Sequence, residues 1–284
     1  MTFSLPLSGW ALVGFAASPI ALEETQVVQL ENNAVVLQAI ASQQVVYLAE
    51  THDDAADHAA QLAIVQAMNA ENEIAIALEM FQRPFQPVLE AYLAGEITEA
   101  ELVAQSEYET RWGYDWELYA PIVRYAKVNG IPLIALNTPA EVTRKVAKEG
   151  LESLMDEDLV HIPPVADIDT TDENYRALIS ETFDAHGGAG HSISFDNFFA
   201  AQVLWDETMA ERVVQQLAAE PERQVIVLAG EGHVNNDYGI PNRVMRRSPE
   251  VTQASVRLLP IEEVNGSETN ELTDFVWITQ QHEL

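Results

Sequence analysis

Carboxylate and imidazole side chains follow a short apolar segment near the start of the chain. Residues 45–48 are β-branched, aromatic or aliphatic, which is typical of a buried strand, and Glu50 and His52 come directly after them. Such side chains bind divalent metals and transfer protons. The neighbouring Thr51 and Asp53 have a simpler alternative role as caps of the next helix. Capping does not account for Glu50 and His52.

Four predicted strands end in polar side chains. The residues at these exits are Glu50 and His52, then Glu79, then Asn137, and finally Glu231 and His233. Because the carboxyl ends of parallel strands meet at one edge of a sheet, we expect these side chains to gather there. Two His with two or three Glu suit a divalent metal such as Zn, Mn or Co. One Glu could then serve as general base to a metal-bound water.

An aromatic stretch precedes the third predicted strand. Its members are Trp112, Tyr114, Trp116 and Tyr119. They form either a small packing cluster or a flat apolar wall for a planar ligand, in which a Tyr phenolate could ligate ferric iron. The five remaining His are interpreted as surface or packing residues, and two of them flank a predicted glycine hinge at 187–190. These are His58, His161, His186, His191 and His282.

The elements that must position these residues alternate between strand and helix patterns as far as residue 150. The strand segments are continuously apolar, which predicts a parallel sheet covered on both faces. Residues 151–223 carry helix patterns and no strand signal, and two more strand patterns follow residue 250. The sequence therefore predicts an α/β fold, with a mostly parallel β-sheet flanked by helices and a smaller all-helical insertion.

The predicted domain organisation has three parts. Residues 1–30 form an N-terminal arm or a degenerate export segment, because residues 2–22 are uncharged and mostly apolar but lack the basic start of a secretory signal. Pro6, Gly9, Gly14 and Pro19 argue against a stable membrane span. Residues 31–150 and 224–284 form the α/β core, and residues 151–223 form the helical insertion packed on it.

Charge and composition limit the partners of the chain. It has 284 residues with 45 acidic and 14 basic side chains, a net charge of −31, and no Cys. Binding to nucleic acid or to an anionic membrane needs basic residues, so neither is expected. The acidic surface favours an extracytoplasmic or periplasmic location, with a cytoplasmic one as the alternative. No phosphate-binding glycine loop and no serine-hydrolase elbow is present.

Six motifs in a fixed order resemble the ChaN family of haem-binding uptake proteins, which is related to the Tiki and TraB group and to erythromycin-esterase-like proteins. The motifs lie at residues 48–54, 77–81, 116–121, 136–139, 202–210 and 229–234, and the resemblance covers about residues 30–260. It implies a parallel α/β core with a smaller helical part.

The resemblance also implies a function in haem or iron uptake. ChaN-like proteins are described as outer-membrane lipoproteins that hold haem between two protomers, with a Tyr on the iron and polar or basic side chains on the propionates. A homodimer is therefore expected. The candidate haem-binding residues are Tyr114 and Tyr119, with Trp112, Asn137 and His52 around them. The Cys that would carry the lipid is absent, so the anchor is not carried over.

The alternative implied by the resemblance is a Tiki-like metal-dependent hydrolase. In that case His52, Glu79 and His233 hold Mn, Co or Zn, and Glu50 or Glu231 is the base. Ala49 stands where the first motif of those relatives usually has Gly. A third possibility is a binding module that kept the pocket and lost the chemistry. The sequence leaves these alternatives open, because function depends on the site and not on the fold.

Overall fold

Six parallel strands form one sheet in the computed structural model of the chain, which describes residues 24–185, 194–264 and 272–279. The strands are β1 Val45–Glu50, β2 Ile74–Gln82, β3 Leu133–Asn137, β4 Gln224–Gly230, β5 Gln253–Pro260 and β6 Phe275–Thr279. Their order across the sheet is β3-β2-β4-β1-β5-β6. The predicted α/β class with a parallel sheet is confirmed.

Helices follow most of the strands and cover both faces of the sheet. The helices before the insertion are α1 Glu24–Ile40, α2 Ala55–Glu71, α3 Gln86–Leu93, α4 Glu99–Gln105, α5 Tyr108–Arg111, α6 Trp116–Asn129 and α7 Ala140–Glu149. Those of the insertion are α8 Glu173–Ala185 and α9 Phe195–Ala219. The remaining ones are α10 Glu231–Val234, α11 Ile240–Arg247 and α12 Ile261–Val264. Among the described helices, none is long and apolar enough to cross a membrane.

The insertion contains helices and short 3-10 turns but no strand within its described residues, 151–185 and 194–223. Its own apolar cluster includes Ile179, Phe199 and Leu204. Helix α9 also packs on the sheet, where Met209 and Val213 join a core cluster with Val45 and Val227. The all-helical character predicted for this segment is confirmed, and α9 connects it to the core.

The central strands are mostly apolar on both faces because helices cover both faces of the sheet. Every residue of β1, β2, β3 and β4 is buried. On the face opposite α9, strand residues such as Leu48 and Ile226 pack with Ile64 of α2 and Val123 of α6. This double covering is the reason that the strand sequences do not alternate between apolar and polar.

Local details differ from the sequence predictions at several element ends. Residues 24–30, which the sequence assigns to the N-terminal arm, are helical and belong to α1. The cap of α2 is Asp54, whose carboxylate accepts hydrogen bonds from the backbone N–H groups of Ala56 and Asp57, and not Thr51 or Asp53. Several predicted features lie outside the described residues. They are the glycine hinge at 187–190, residues 1–23 of the predicted N-terminal arm, His186, His191 and His282.

Candidate functional site

The register of the central strands sets the position of the candidate site. Glu50, the last residue of β1, is aligned with Gly230, the last residue of β4. In the next pairing Leu78 of β2 is aligned with Leu228 of β4, so Glu79 lies beside this end of β4. The carboxyl ends of three neighbouring strands therefore meet, as the sequence predicts.

Glu50 is a buried carboxylate that orients His52. Its Oε1 accepts hydrogen bonds from the Tyr119 hydroxyl at 2.6 Å and from Nδ1 of His52 at 2.9 Å, and its Oε2 accepts one from the Gln61 amide at 2.7 Å. Burial lowers the pKa of His52, but the hydrogen bond to Glu50 and the charge of Glu79 outweigh burial and raise it overall. The ring of His52 is thus oriented by Glu50, whose carboxylate is itself held by Tyr119 and Gln61.

Gly230 makes room for the His52 ring. A Cβ atom on Gly230 would lie 2.6 Å from Cε1 and 2.8 Å from Nε2 of His52, and 3.6 Å from Oε2 of Glu79. Its φ of −59° is open to any residue, so space and not backbone conformation requires the glycine. The backbone N–H of Gly230 also donates to Oε2 of Glu79 at 2.7 Å. His52, Gly230 and Glu79 are therefore in direct proximity.

A second His–carboxylate pair comes from the helical insertion. Nδ1 of His233 lies 2.6 Å from Oδ1 of Asp206, and its Nε2 lies 3.3 Å from Oε1 of Glu79. The Tyr175 hydroxyl donates to the other oxygen of Asp206 at 2.7 Å. Burial lowers the pKa of His233, but the charges of Glu79 and Asp206 raise it to about 10. Burial raises the pKa of Glu79, but the charge of His233 and its hydrogen bond outweigh burial, so the pKa of Glu79 is lowered overall.

The structure brings His52, Glu79 and His233 together without forming a metal site. Among the residues that it describes, no group of three or more His, Asp or Glu side chains is arranged to hold a metal ion. Each ring nitrogen of His233 faces one carboxylate, and these charges raise its pKa, which favours the protonated ring that offers no lone pair to a metal. The predicted set of metal ligands is therefore not supported in this arrangement.

Two predicted site residues have other partners. Asn137 is buried, and its amide donates to the carbonyl of Glu79 at 2.8 Å and accepts a hydrogen bond from the Trp205 indole. Both ends of this amide are occupied, so Asn137 positions Glu79. Glu231 pairs with Arg257 at 3.0 Å, and its side chain is 45% exposed. That pairing directs Glu231 toward β5.

An aromatic wall, consisting of Trp112 and Tyr114, lies against the ring of His52. The ring centroids of His52 are 4.7 Å from Trp112 and 4.9 Å from Tyr114. Tyr114 is 38% exposed. By contrast, Tyr119 is 1% exposed, and burial together with the charge of Glu50 raises the pKa of its hydroxyl. Trp116 packs away from His52, against Phe81 and Tyr108.

The site also depends on residues to which the sequence assigns no role in it. His58, predicted as a surface or packing residue, is buried with its ring centroid 4.4 Å from that of Tyr119 and its Nδ1 3.8 Å from Oε2 of Glu50. Asp206 was part of a recognised motif at 202–210, but it was not assigned a role there. Gln202 and Asp206 are four residues apart, so they lie on one face of a helix, and this spacing was the sequence signal for a shared role. In the structure both contact Nδ1 of His233.

Comparison with known proteins gives a family and a fold. A family model described as haem-binding uptake, Tiki superfamily, ChaN matches residues 36–244. The protein RETICULATA-RELATED 5, chloroplastic, of Arabidopsis thaliana is 27% identical over 223 residues. That match covers 75% of this chain and 30% of the plant protein, so the chain spans less than a third of that relative.

Two solved structures have a similar fold. A structure of ChaN from Campylobacter jejuni, described as showing cofacial haem binding, matches with a TM-score of 0.68 at 18% identity. The match covers 87% of this chain and 92% of that one. A mutant of the erythromycin esterase EreC in its open conformation matches with a TM-score of 0.50 at 13% identity, over 80% of this chain and 73% of that one. At these identities the likeness establishes the fold.

Proposed function

The chain belongs to the ChaN family of haem-binding uptake proteins in the Tiki superfamily, and from this premise we propose that it binds haem at the carboxyl edge of its sheet. The observation that carries the proposal is the aromatic wall of Trp112 and Tyr114 against His52, with Tyr114 exposed. Aromatic surface that includes one exposed Tyr fits an iron-porphyrin.

Tyr114 is the residue that we propose for the iron. A phenol must be reachable and able to lose its proton in order to ligate ferric iron. Tyr114 is exposed, whereas the Tyr119 hydroxyl is buried and already donates to Glu50. Bound haem would supply a ferric centre that can accept an oxygen ligand such as the Tyr114 phenolate. Trp112 and His52 would then provide contact surface, and Asn137 and Tyr119 would act indirectly by holding Glu79 and Glu50.

The direct test is a hemin titration of the purified chain, monitored by absorption. We expect a shifted Soret band that saturates at micromolar protein. Tyr114→Phe should weaken binding by about tenfold or more and change the spectrum, because it removes the iron ligand. Tyr119→Phe is the comparison variant: it removes a hydroxyl that acts only through Glu50, so any loss of hemin binding should be smaller than in Tyr114→Phe and the spectrum of bound hemin should be retained. No Soret shift in the wild type, or an unchanged spectrum for Tyr114→Phe, would refute the proposal.

A homodimer and an extracytoplasmic location belong to the same proposal. A flat ligand beside the exposed Tyr114 would keep one face in water, and a second copy of the chain would cover that face. Light scattering with and without hemin should show a dimer, at least in the presence of hemin. Fractionation of the native cells, with antibody detection, tests the location; recovery with cytoplasmic markers would favour the cytoplasmic alternative.

A divalent-metal-dependent hydrolase is the second candidate. It is favoured because His52, Glu79 and His233 converge at the carboxyl edge of the sheet. Glu50 orients His52 there through a hydrogen bond, as a carboxylate orients a catalytic imidazole. The double pairing of His233 with carboxylates argues against this candidate. Elemental analysis of protein kept from chelators decides it, because stoichiometric Mn, Co or Zn is required. His52→Ala should then abolish hydrolysis while the fold is retained.

A further inference from the structure

A groove between helix α4, helix α5 and the start of helix α6 shares no residue with the haem site proposed above. Its volume is about 570 Å³, which is within the range of small-molecule sites. Trp116 forms part of its wall. The groove therefore uses the one member of the predicted aromatic stretch that the haem site leaves out.

Four of the lining side chains are apolar. Ala100, Val103 and Ala104 lie on one face of α4, because positions three and four apart are neighbours on a helix. Trp116 is half-buried, and its ring packs on Tyr108 at 5.0 Å between centroids. Its indole N–H donates to Oε1 of Glu99 at 2.9 Å. These contacts hold the ring in place, so the apolar wall is formed before any ligand arrives.

The charged part of the lining is entirely acidic. Its carboxylates are Glu99, Glu107 and Glu109, and none of the residues that line the groove is basic. Two of these carboxylates share a guanidinium with a carboxylate from outside the groove. The shared groups are Arg124, between Glu99 and Glu117, and Arg111, between Glu107 and Glu141. Each of these arginines is thus already used twice.

Glu109 has no such partner. It is exposed, and its side chain forms no ion pair or hydrogen bond with any residue in the described part of the chain. Lys127 and Arg144 act electrostatically on Glu99 and on Glu141, but neither of them lines the groove. One carboxylate of the lining is therefore left without a positive charge.

A free carboxylate beside a fixed indole and an apolar helix face is the complement of an organic cation. The carboxylate attracts the positive charge, the electron-rich face of an indole adds a cation–π attraction, and the apolar side chains cover an apolar body. An inorganic cation would leave that apolar surface unused. We propose that this groove binds a small organic monocation with an apolar body, with its charge at Glu109 and its body against Trp116 and Ala104.

Calorimetric titration of the full chain with benzylammonium at pH 7 tests the proposal. Methylammonium carries the same charge without the ring, and benzyl alcohol carries the ring without the charge. We expect saturable 1:1 binding of benzylammonium, and binding of the other two that is weaker by about fivefold or more, because each satisfies only part of the lining. The NMR signal of the Trp116 indole N–H, assigned with Trp116→Phe, should shift with benzylammonium.

Glu109→Gln should weaken benzylammonium binding by about two- to fivefold, which is the range of an exposed ion pair. Glu71→Gln is the matched control, because it removes the same charge at an exposed position of α2 outside the groove. Ala104→Arg should weaken binding by about tenfold or more, because it places a tethered cation in the groove. Ala70→Arg makes the same change at another exposed helical position and should leave the affinity unchanged.

The absence of saturation below about 10 mM benzylammonium would overturn the proposal, since weaker affinities do not define a specific site. Equal binding of methylammonium would also overturn it, because attraction to a chain with a net charge of −31 would then suffice. Equal effects of Glu109→Gln and Glu71→Gln, or of Ala104→Arg and Ala70→Arg, would place any binding outside the groove. All titrations are made without hemin, so their outcome does not depend on the haem site.

Discussion

The Nδ1 atom of His233 lies 2.6 Å from Oδ1 of Asp206, and this contact joins the helical insertion to the carboxyl edge of the sheet. Asp206 is fully buried, and Tyr175 of the insertion supports it from the other side. Since Nε2 of His233 faces Glu79, the ring lies between two carboxylates. Such a buried network is stabilising only while all of its members keep their charge.

The first prediction concerns alkaline pH. The folded pKa of His233 is raised from 6.5 to about 10, so its contribution to stability is complete below pH 6.5 and is lost as the pH rises through about 10. The free energy of unfolding should therefore fall between these values. Urea denaturation at pH 7 and at pH 9.5 measures it, together with NMR titration of the His233 ring.

His233→Gln provides the comparison for this prediction. The variant should be less stable at pH 7 by about 3–5 kcal/mol, because Glu79 and Asp206 lose their buried counter-charge. It should also lack the extra slope of the wild type between pH 7 and pH 9.5. Equal slopes in the two proteins, or a His233 ring that titrates near 6.5, would contradict the charged network.

The second prediction uses two neighbouring glycines. Gly230→Ala places a Cβ atom 2.6 Å from the His52 ring, so the ring must move or the strand end must shift. We expect a loss of about 1–3 kcal/mol, which is typical of overpacking in a tight site. Gly232→Ala is the control, because a Cβ there meets nothing within 4 Å. Denaturation of both variants and NMR of His52 measure the effect; equal stability would refute the steric role.

Much of the fold follows from local sequence, whereas the pairing of strands does not. The continuous apolar segments before Glu50, Glu79 and Gly230 identify buried strands directly. The order β3-β2-β4-β1-β5-β6 depends on contacts between residues far apart in the chain, such as Glu50 and Gly230, for which no local pattern exists. The left-handed backbone of Asn236 and Asp237 is likewise not predictable from local sequence, because it is set by the turn that these residues occupy.

The candidate site was predictable only in part for the same reason. Glu50, His52, Glu79 and His233 were found because the ends of parallel strands converge. Asp206 was not, because it lies within a 25-residue helix, where a carboxylate normally faces solvent. Its burial becomes visible only when α9 is packed against β4.

The third prediction separates the two tyrosines by stability. Tyr119→Phe removes the 2.6 Å hydrogen bond to the buried Glu50, so the carboxylate loses one of its three donors. We expect a cost of about 1–3 kcal/mol. Tyr114→Phe should change the free energy of unfolding by less than about 0.5 kcal/mol, because Tyr114 is an exposed residue. Chemical denaturation compares them; equal losses would contradict the assignment of Tyr119 to the support of Glu50.

The fourth prediction concerns Asp57, a buried carboxylate at the start of α2. Burial raises its pKa to about 7, and the charges of Asp54, Glu50 and Glu231 add to this, although the backbone N–H of Thr51 donates to it at 2.8 Å. A folded pKa above the unfolded value of 3.8 means that the folded state binds the proton more tightly. Stability linked to Asp57 is thus present below pH 3.8 and falls as the pH rises toward 7.

Asp57→Asn should remove this cost, because the amide is neutral and its oxygen can still accept from Thr51. At pH 8 we expect the variant to be more stable than the wild type by about 1–3 kcal/mol, since each tenfold change in proton affinity corresponds to about 1.4 kcal/mol. The gain should shrink as the pH is lowered to 4. Asp53→Asn, which removes the same charge at an exposed neighbouring position, should change stability by less than about 0.5 kcal/mol. Chemical denaturation of both variants and the wild type at pH 8 and at pH 4 tests this prediction. A gain in the free energy of unfolding that is equal at the two pH values would show that Asp57 is not the titrating group.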